Sequence, residues 1–579
     1  MLGKLLRNVR GERARADQQK RSAAAYDQGH AALARGDAAA ALGHFRAAVE
    51  AWGDNLEALA NQGLCHAMLL QNKESEQCLT EALRRAPEGP LAAPVHMNLG
   101  NLALAGQRFT AACRHYEAAL EFEARNGPPN PDLLNNLGIA EHRRGFADRA
   151  VSRYREALVL RPAHQDAASN LLFALQHSPS AAPADIFAAF RAWAATFEAP
   201  LAPLRKPHAN NRDPGRPLRI GYISGDFFKH AVSNFIEPVL RNHDGAAFTA
   251  VCYATRAQDD EQTAALRALA GEWRAVATLD DEALATRVRE DGIDILVDLS
   301  SHTVGHRLLT FARKPAPVQI TWLGYPTTTG LDSMDYRISD AVSDPPEVAQ
   351  ALHSERLLYL PRTQWCYRPD PIAPPVGKLP ALATGRVTFG SFNNPAKVND
   401  GVLKLWAKVL AALPEARINV VSVGDPESRR RMADTLVENG AAPQQVTVTT
   451  TLKLAEFWRI RDDIDIVLDA HPYNGTTTTF EALWSGLPVI TLAGRYGASR
   501  SATSILTALG MPELIAADEA GYVNAAVKLA SDLPRLAELR SSLRQRMADA
   551  GLCDGARFTR ELEALYREAW RNWCASSAP

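Results

Sequence analysis

Neither sign of charge dominates this 579-residue chain: 64 Lys and Arg stand against 65 Asp and Glu. A protein that grips nucleic acid carries a marked basic excess, so no nucleic-acid partner is expected. Cysteine is scarce, at seven residues, and no two form a CxxC pair. Thiols so placed read as reduced and mostly buried in a cytoplasmic protein. No window reaches the roughly 18 apolar residues of a membrane span, and the opening Met1–Leu6 lacks the apolar core of a signal peptide, so no membrane partner is expected. Residues 1–21 hold seven Lys/Arg and two Asp/Glu. That composition suits a weak membrane-surface helix or, the reading taken here, a solvated basic tail. Signature loops are missing as well. No GxGxxG follows a strand-like run, and neither GxxxxGK[ST] nor GxSxG occurs, which disfavours nicotinamide dehydrogenases, P-loop nucleotidases and α/β-hydrolases.

What is present begins with repetition. Gly29, Gly63, Gly100 and Gly138 are each followed twelve residues later by a small residue (Ala41, Ser75, Ala112, Ala150). Four further on comes a bulky one (Phe45, Leu79, Tyr116, Tyr154), and three after that an alanine (Ala48, Ala82, Ala119, Ala157). Pro87 and Pro162 close two of the units, as a proline that ends a second helix would. This ruler resembles the tetratricopeptide repeat, a helix–turn–helix of 34 residues. The glycine spacings of 34, 37 and 38 put the extra residues in the loops 87–94 and 126–131. Small residues let the two helices of a unit approach closely, and the bulky residue is expected to fill the gap to the next repeat. A half-unit, Asp166–Leu175, lacks the glycine and reads as a capping helix. Stacked units of this kind make a superhelix with a concave groove suited to protein or peptide capture.

After Pro179 the pattern changes. Residues 183–199 read as one amphipathic helix and 200–217 as a Pro-, Arg- and Asn-rich linker. Then β-branched runs alternate with helical stretches: Arg219–Ser224, Thr249–Tyr253, Asp294–Leu299, Val318–Trp322 and Leu357–Leu360. A second series follows the break at Pro371–Pro380: Val387–Phe392, Arg417–Val423, Gln445–Thr450, Asp465–Asp469 and Pro488–Leu492. Two such alternations imply two doubly wound parallel sheets. The organisation expected is a basic tail 1–25, repeats 26–176, a helical linker 177–217, a first lobe 218–370, a linker 371–386, a second lobe 387–555 and a closing helix 556–579. Ligands of such folds sit at the carboxyl ends of the strands, here in the cleft between the lobes.

Three loops carry chemistry. Gly221–His230 (GYISGDFFKH) runs off the first strand of the first lobe and offers His230 as a base or hydrogen-bond donor. Gly390–Lys397 (GSFNNPAK) runs off the first strand of the second lobe. A lysine opening a helix there adds a point charge to the positive helix terminus and suits a diphosphate. Asp469–Glu481 (DAHPYNGTTTTFE) offers Thr476–Thr479 at a helix start. Threonines are poor helix formers, and capping by one does not account for four, whereas hydroxyls and free amides there cradle phosphate oxygens. Two metal-like patterns, His302/His306 and Asp463/Asp465, read as structural; strand alternation would send both aspartates to one face.

With these loops in place the chain resembles the O-linked N-acetylglucosamine transferase family, which includes the plant Spindly proteins. The stretches Trp322–Gly330 (WLGYPTTTG), Met334–Asp340 (MDYRISD), Ser391–Lys397 and Asn474–Leu483 match it, and similarity covers roughly residues 26–575. The resemblance implies a GT-B fold, two Rossmann-like lobes, here preceded by the all-α repeat superhelix. It implies inverting transfer of N-acetylglucosamine from UDP-GlcNAc to Ser/Thr hydroxyls, with no metal or other cofactor. The donor nucleotide sugar would lie in the interlobe cleft, and acceptor proteins along the repeat groove. Carried over by position, Lys397 would neutralise the diphosphate, Asn394, Thr476, Thr477 and Thr478 would surround it, and Glu481 would hold the ribose hydroxyls where animal members carry Asp. His230 matches the family's active-site histidine, read as base or as positioning group. Thr303 and Gly324 would line the sugar pocket, and Phe457 falls where animal members stack a histidine on uracil. The threonine run and Asn393-Asn394 look more like Spindly proteins, which use GDP-fucose. Protein O-fucosylation, glucosylation of Asn and a scaffold with inactive lobes are the alternatives.

Overall fold

The computed structural model describes residues 2–125, 127–421, 423–450 and 454–576. Two compact units emerge: one up to Arg144 together with Ser152–Leu160, the other Gly145–Val151 together with everything from Arg161 onward.

Eight helices build the first part of the chain: α1 (Leu2–Ala34), α2 (Ala38–Ala51), α3 (Leu56–Met68), α4 (Asn72–Arg85), α5 (Ala92–Ala105), α6 (Phe109–Ala124), α7 (Pro131–Arg143) and α8 (Ala147–Leu160). They pair as helical hairpins, and the glycine ruler explains why. A Cβ on Gly29 would lie 2.6 Å from Phe45, one on Gly63 2.7 Å from Leu79, and one on Gly138 2.6 Å from Tyr154; Gly100 meets Tyr116 in the same way. Each bulky ring or Leu therefore seats on the glycine of its own hairpin, rather than in the gap to the next repeat as expected. Contact this close needs a residue without a side chain. The small residue adds its own tie where it is Ser75, whose hydroxyl donates to the Gly63 carbonyl at 2.7 Å. Met1 lies outside the described residues, and residues 2–25 of the basic stretch 1–25, expected as a separate tail, are the leading part of α1. Its Arg, Ala, Gln and Lys are good helix formers, and the helix first becomes anchored where buried Ser22 donates to the Ala48 carbonyl at 2.7 Å.

The second unit opens with α9 (Gln165–His177), the helix counted with the repeats from the sequence, and α10 (Pro183–Phe197). The first lobe has seven parallel strands: β1 (Leu218–Ser224), β2 (Phe248–Ala254), β3 (Glu272–Ala275), β4 (Ile295–Asp298), β5 (Val318–Thr321), β6 (Tyr336–Asp340) and β7 (Arg356–Leu360). The second has six: β8 (Thr388–Ser391), β9 (Arg417–Val420), β10 (Val446–Val448), β11 (Ile466–Leu468), β12 (Val489–Leu492) and β13 (Ile515–Ala516). Their orders, β3-β2-β1-β4-β5-β6-β7 and β10-β9-β8-β11-β12-β13, reverse direction beside β1 and beside β8. These are the switch points at which doubly wound sheets open a crevice. β3, β6 and β13 were not foreseen. β3 is a half-buried edge strand, and β13 has two residues. In β6 the apolar run is broken by Arg337, which is fully buried and donates to the Tyr325 and Thr327 carbonyls at 3.0 and 2.8 Å.

The helix Gly555–Ala575 follows the second lobe in sequence but packs into the first. Phe558, Leu562, Tyr566, Ala569 and Trp570 join the core formed by β1, β2, β4 and β5. Glu563 accepts from His243 Nδ1 at 2.8 Å, and His243 Nε2 accepts from the Tyr222 hydroxyl at 2.8 Å.

Candidate active site

The loops that leave the carboxyl ends of β1, β5, β8 and β11 converge on two adjoining cavities of about 220 and about 700 Å³. His230, Ala231, Thr477 and Thr478 border both. The smaller also takes in Gly324, Asn394, Lys397, Tyr473 and Thr476; the larger takes in Phe457, Arg461 and Glu481. Eight of the nine site residues singled out from the sequence therefore gather here. Thr303 does not: its hydroxyl donates to the Ser300 carbonyl at 2.8 Å in the turn after β4, and it lies on neither wall.

The threonine loop is shaped by Asp469, the residue after β11. This buried carboxylate accepts from the amides of Ala470 (2.9 Å) and Gly475 (2.8 Å), from the Thr491 hydroxyl (2.8 Å) and from Asn393 Nδ2 (3.3 Å). Burial raises its pKa even so. The chain is thereby folded back so that Thr476 stands at the N-cap of the helix Thr477–Trp484, with no side-chain cap. The first amides of that helix are left for a ligand, and the helix dipole adds positive potential. The four threonines divide their work. Thr479 is buried and donates to the Gly475 carbonyl at 2.8 Å, Thr478 donates to Asn393 Oδ1 at 3.4 Å, and Thr476 and Thr477 border the cavity.

Lys397 closes the short turn Pro395–Lys397. It does not open a helix as expected, because Asn399 is the N-cap of the following helix Asp400–Ala412. Its ammonium donates to the Asn474 carbonyl at 2.9 Å and lies 4.3 Å from the Tyr473 ring centroid. Burial holds its pKa down at about 8 against an ordinary 10.5, while the nearby Asp469 charge pulls it back up. Asn394 spends its side-chain oxygen on the Ala396 amide at 3.0 Å. His230, across the cleft, is partly exposed. Its Nδ1 accepts from the Val232 amide at 3.3 Å and lies 3.7 Å from the Asp226 carboxylate. A neutral ring so held carries its proton on Nε2. Glu481 pairs with buried Arg461 at 2.5 Å, and the ring of Phe457 lies under that guanidinium at 4.3 Å.

A Cβ on Gly324 would run into the Leu299 carbonyl, which explains glycine at this point of the wall. The metal-like pairs are placed by the fold. His302 Nε2 bonds the Thr329 carbonyl at 2.8 Å, and burial lowers His302 to about 3 and His306 to about 4. Asp465 is buried and accepts from the Ala381 and Thr388 amides at 3.0 and 2.8 Å, whereas Asp463 is exposed. The two do not share a face, because β11 begins only at Ile466. Among the described residues no three His, Cys, Asp or Glu side chains gather as metal ligands, and no helix is long and apolar enough to cross a membrane. Asp469, Tyr473 and Arg461 were given no role from the sequence. The first two sit inside the threonine-loop motif, and an aspartate at the end of a strand was the available signal.

The paired lobes bring an uncapped helix start and a lysine to one cavity, an arrangement of the type suited to an anionic ligand such as a nucleotide diphosphate. The chain belongs to glycosyl transferase family 41, whose model matches residues 171–367 and 378–562; a tetratricopeptide-repeat model matches 26–75 and 69–131. It is 41% identical over 73% of its length to a tomato (Solanum lycopersicum) protein named probable UDP-N-acetylglucosamine–peptide N-acetylglucosaminyltransferase SPINDLY, covering 46% of that protein. A Caenorhabditis elegans UDP-N-acetylglucosamine–peptide N-acetylglucosaminyltransferase is 26% identical over 62% of this chain and 41% of its own. The chain thus spans about half the length of the curated relatives it matches. Among solved structures, a mutant O-GlcNAc transferase from Thermobaculum terrenum superimposes with a TM-score of 0.81 at 36% identity, over 90% of this chain and 99% of that one.

Proposed function

We propose that the protein transfers N-acetylglucosamine from UDP-GlcNAc to Ser or Thr hydroxyls of acceptor proteins, with inversion and without a metal ion. The observation that carries this is the convergence of Lys397, Thr476, Thr477 and Thr478 on one cavity opposite His230. The acceptor oxygen attacks the anomeric carbon as the bond to the diphosphate breaks, and the hydroxyl proton leaves to a base. Charge grows on the departing diphosphate. The Lys397 ammonium and the uncapped helix start meet it there in a partly dry site, where preformed charge stabilises a transition state most. In this reading Glu481 receives the ribose hydroxyls and Gly324 borders the sugar. His230, with Nδ1 occupied, acts through Nε2–H as a donor that orients the reactants rather than as the base. In this reading the repeats bind acceptor chains and, being tethered to the lobes, raise their effective concentration.

The test incubates the full chain with radiolabelled UDP-GlcNAc and, separately, GDP-fucose in the presence of a cell lysate. Label on protein from UDP-GlcNAc alone is expected. Label from GDP-fucose alone establishes the second reading, protein O-fucosylation. That reading is favoured by the Thr476–Thr479 run and by a 700 Å³ cavity roomy enough for a purine. No label from either donor means a scaffold with silent lobes.

A further inference from the structure

Arg461 is among the largest fully buried side chains of the described residues, with only 1% of its side chain exposed. A charge that deep persists only where it is paired. It stands on the helix Leu454–Asp462, and its carboxylate partner Glu481 stands on the helix Thr477–Trp484. Nη2 donates to Glu481 Oε2 at 2.5 Å, and Nη1 reaches the Glu481 carbonyl and the Ser485 hydroxyl, each at 3.4 Å. The guanidinium plane is fixed by rings, its carbon lying 4.3 Å from the Phe457 centroid, 4.8 Å from Trp458 and 5.1 Å from Phe392. Thus Arg461 grips one residue by side chain and main chain at once and has no room to swing. Its Nε has no hydrogen-bond partner among the described residues, but with its side chain only 1% exposed it is covered and does not itself reach a phosphate.

Glu481 is different. Its side chain is 26% exposed at the wall of the larger cavity, and among the described residues only Oε2 accepts a hydrogen bond from another side chain, leaving Oε1 open. A free glutamate samples many rotamers, and fixing one on binding costs conformational entropy. Here one oxygen is already clamped, so the other is presented in a set direction and can accept two hydrogen bonds. We propose that Arg461 is a positioning residue for donor recognition: it pre-orients Glu481 so that Oε1 accepts the vicinal hydroxyls of a nucleoside-diphosphate ribose. This rests on the reading of Glu481 as the ribose-binding group.

The experiment compares UDP with 2′,3′-dideoxy-UDP by calorimetry on the full chain, as wild type, Glu481→Gln, Arg461→Lys and Arg461→Met; GDP and its dideoxy form replace them if GDP binds more tightly. Wild type should prefer the hydroxylated nucleotide by about 10–100-fold, the range of charge-assisted hydrogen bonds. Glu481→Gln should remove most of that preference. Both Arg461 variants should bring it to within about threefold of the Glu481→Gln value while leaving dideoxy-UDP affinity within about twofold of wild type, since only ordering of the carboxylate is lost. Equal weakening of both nucleotides means Arg461 merely supports packing and overturns the inference. So does full retention of the preference in folded Arg461 variants, with the Glu481 reading left standing. No preference in wild type defeats the Glu481 reading itself. Because the readout is a ratio within one protein, partial destabilisation of the methionine variant does not mimic the effect, and the lysine variant keeps the charge.

Discussion

Replacing Lys397 with methionine should make the protein more stable and much less active. The ammonium has one hydrogen bond, to the Asn474 carbonyl, and one ring, Tyr473, in place of its hydration shell. A pKa lowered from 10.5 to about 8 means that the folded state disfavours the charged form by about 3 kcal/mol relative to water. Methionine fills similar space without a charge, and it leaves the Asn474 carbonyl short of a donor at about 1 kcal/mol. The net gain is about 2 kcal/mol at pH 7, the difference of those two effects. Its pH dependence is distinctive. Below pH 8 folded and unfolded chains both hold the proton, so the wild-type penalty is fully present. Between about 8 and 10.5 only the unfolded chain holds it, so wild-type stability rises with pH while that of the variant does not. Urea melts followed by tryptophan fluorescence at pH 7 and pH 10 measure this gap, and transfer by the variant should fall by about 10²–10³. A variant less stable than wild type at pH 7, or a gap that does not narrow by pH 10, refutes the assignment of Lys397 as a desolvated cation.

Other consequences are open to direct test. The kcat/KM for transfer should fall as pH rises through about 8, where the free protein loses the Lys397 proton; in kcat the limb should move to higher pH, because a bound diphosphate retains that proton. A profile flat to pH 9 removes the lysine from the mechanism. Gly324→Ala should lower nucleotide affinity or melting temperature, since the added carbon meets the Leu299 carbonyl and the loop after β5 must shift; titration and melting report which. Removal of the chain before Gly145 should leave nucleotide affinity intact and impair transfer to whole proteins more than to short peptides. A cut after Gln176 should abolish nucleotide binding as well, because Phe173 of α9 packs on Tyr325 and Tyr473, and the Tyr496 hydroxyl donates to the Gln176 carbonyl at 2.7 Å. Calorimetry on the two truncations separates these outcomes.

The repeats were legible because their rule is local: glycine, small residue and bulky residue lie within one hairpin, at spacings a helix pair imposes. The parallel strands were legible where both faces are buried and the apolar run is unbroken, as in β1 and β2. They were not legible where a core charge interrupts the run, as Arg337 does in β6, or where an edge strand is half exposed, as β3 is. In the site, sequence pattern found the groups that face the ligand space, Lys397 and the threonines. It missed the groups that act through other residues. Asp469 works by folding a loop back on itself, Tyr473 by lying under an ammonium, and Arg461 by reaching a helix twenty residues away. Each depends on a contact between elements, which spacing along one element does not encode. Phe457, set against the base by the resemblance, borders the larger cavity and also lies under Arg461, a second contact that spacing did not reveal.

The return of the helix Gly555–Ala575 to the first lobe bears on how the chain folds as it is made. β1 through β7 are complete once Leu360 has been synthesised, yet their core is closed by Phe558, Leu562, Tyr566 and Trp570, with Glu563 joined to His243. Roughly two hundred residues separate the two, which at about 5–20 residues per second of synthesis is a wait of about 10–40 seconds. During that interval the first lobe stands with an apolar face uncovered while the second lobe is still emerging. The lobe that carries His230 is therefore the last to finish, and a chaperone that shields its open face in that window would act on this protein more than on one whose lobes close in order.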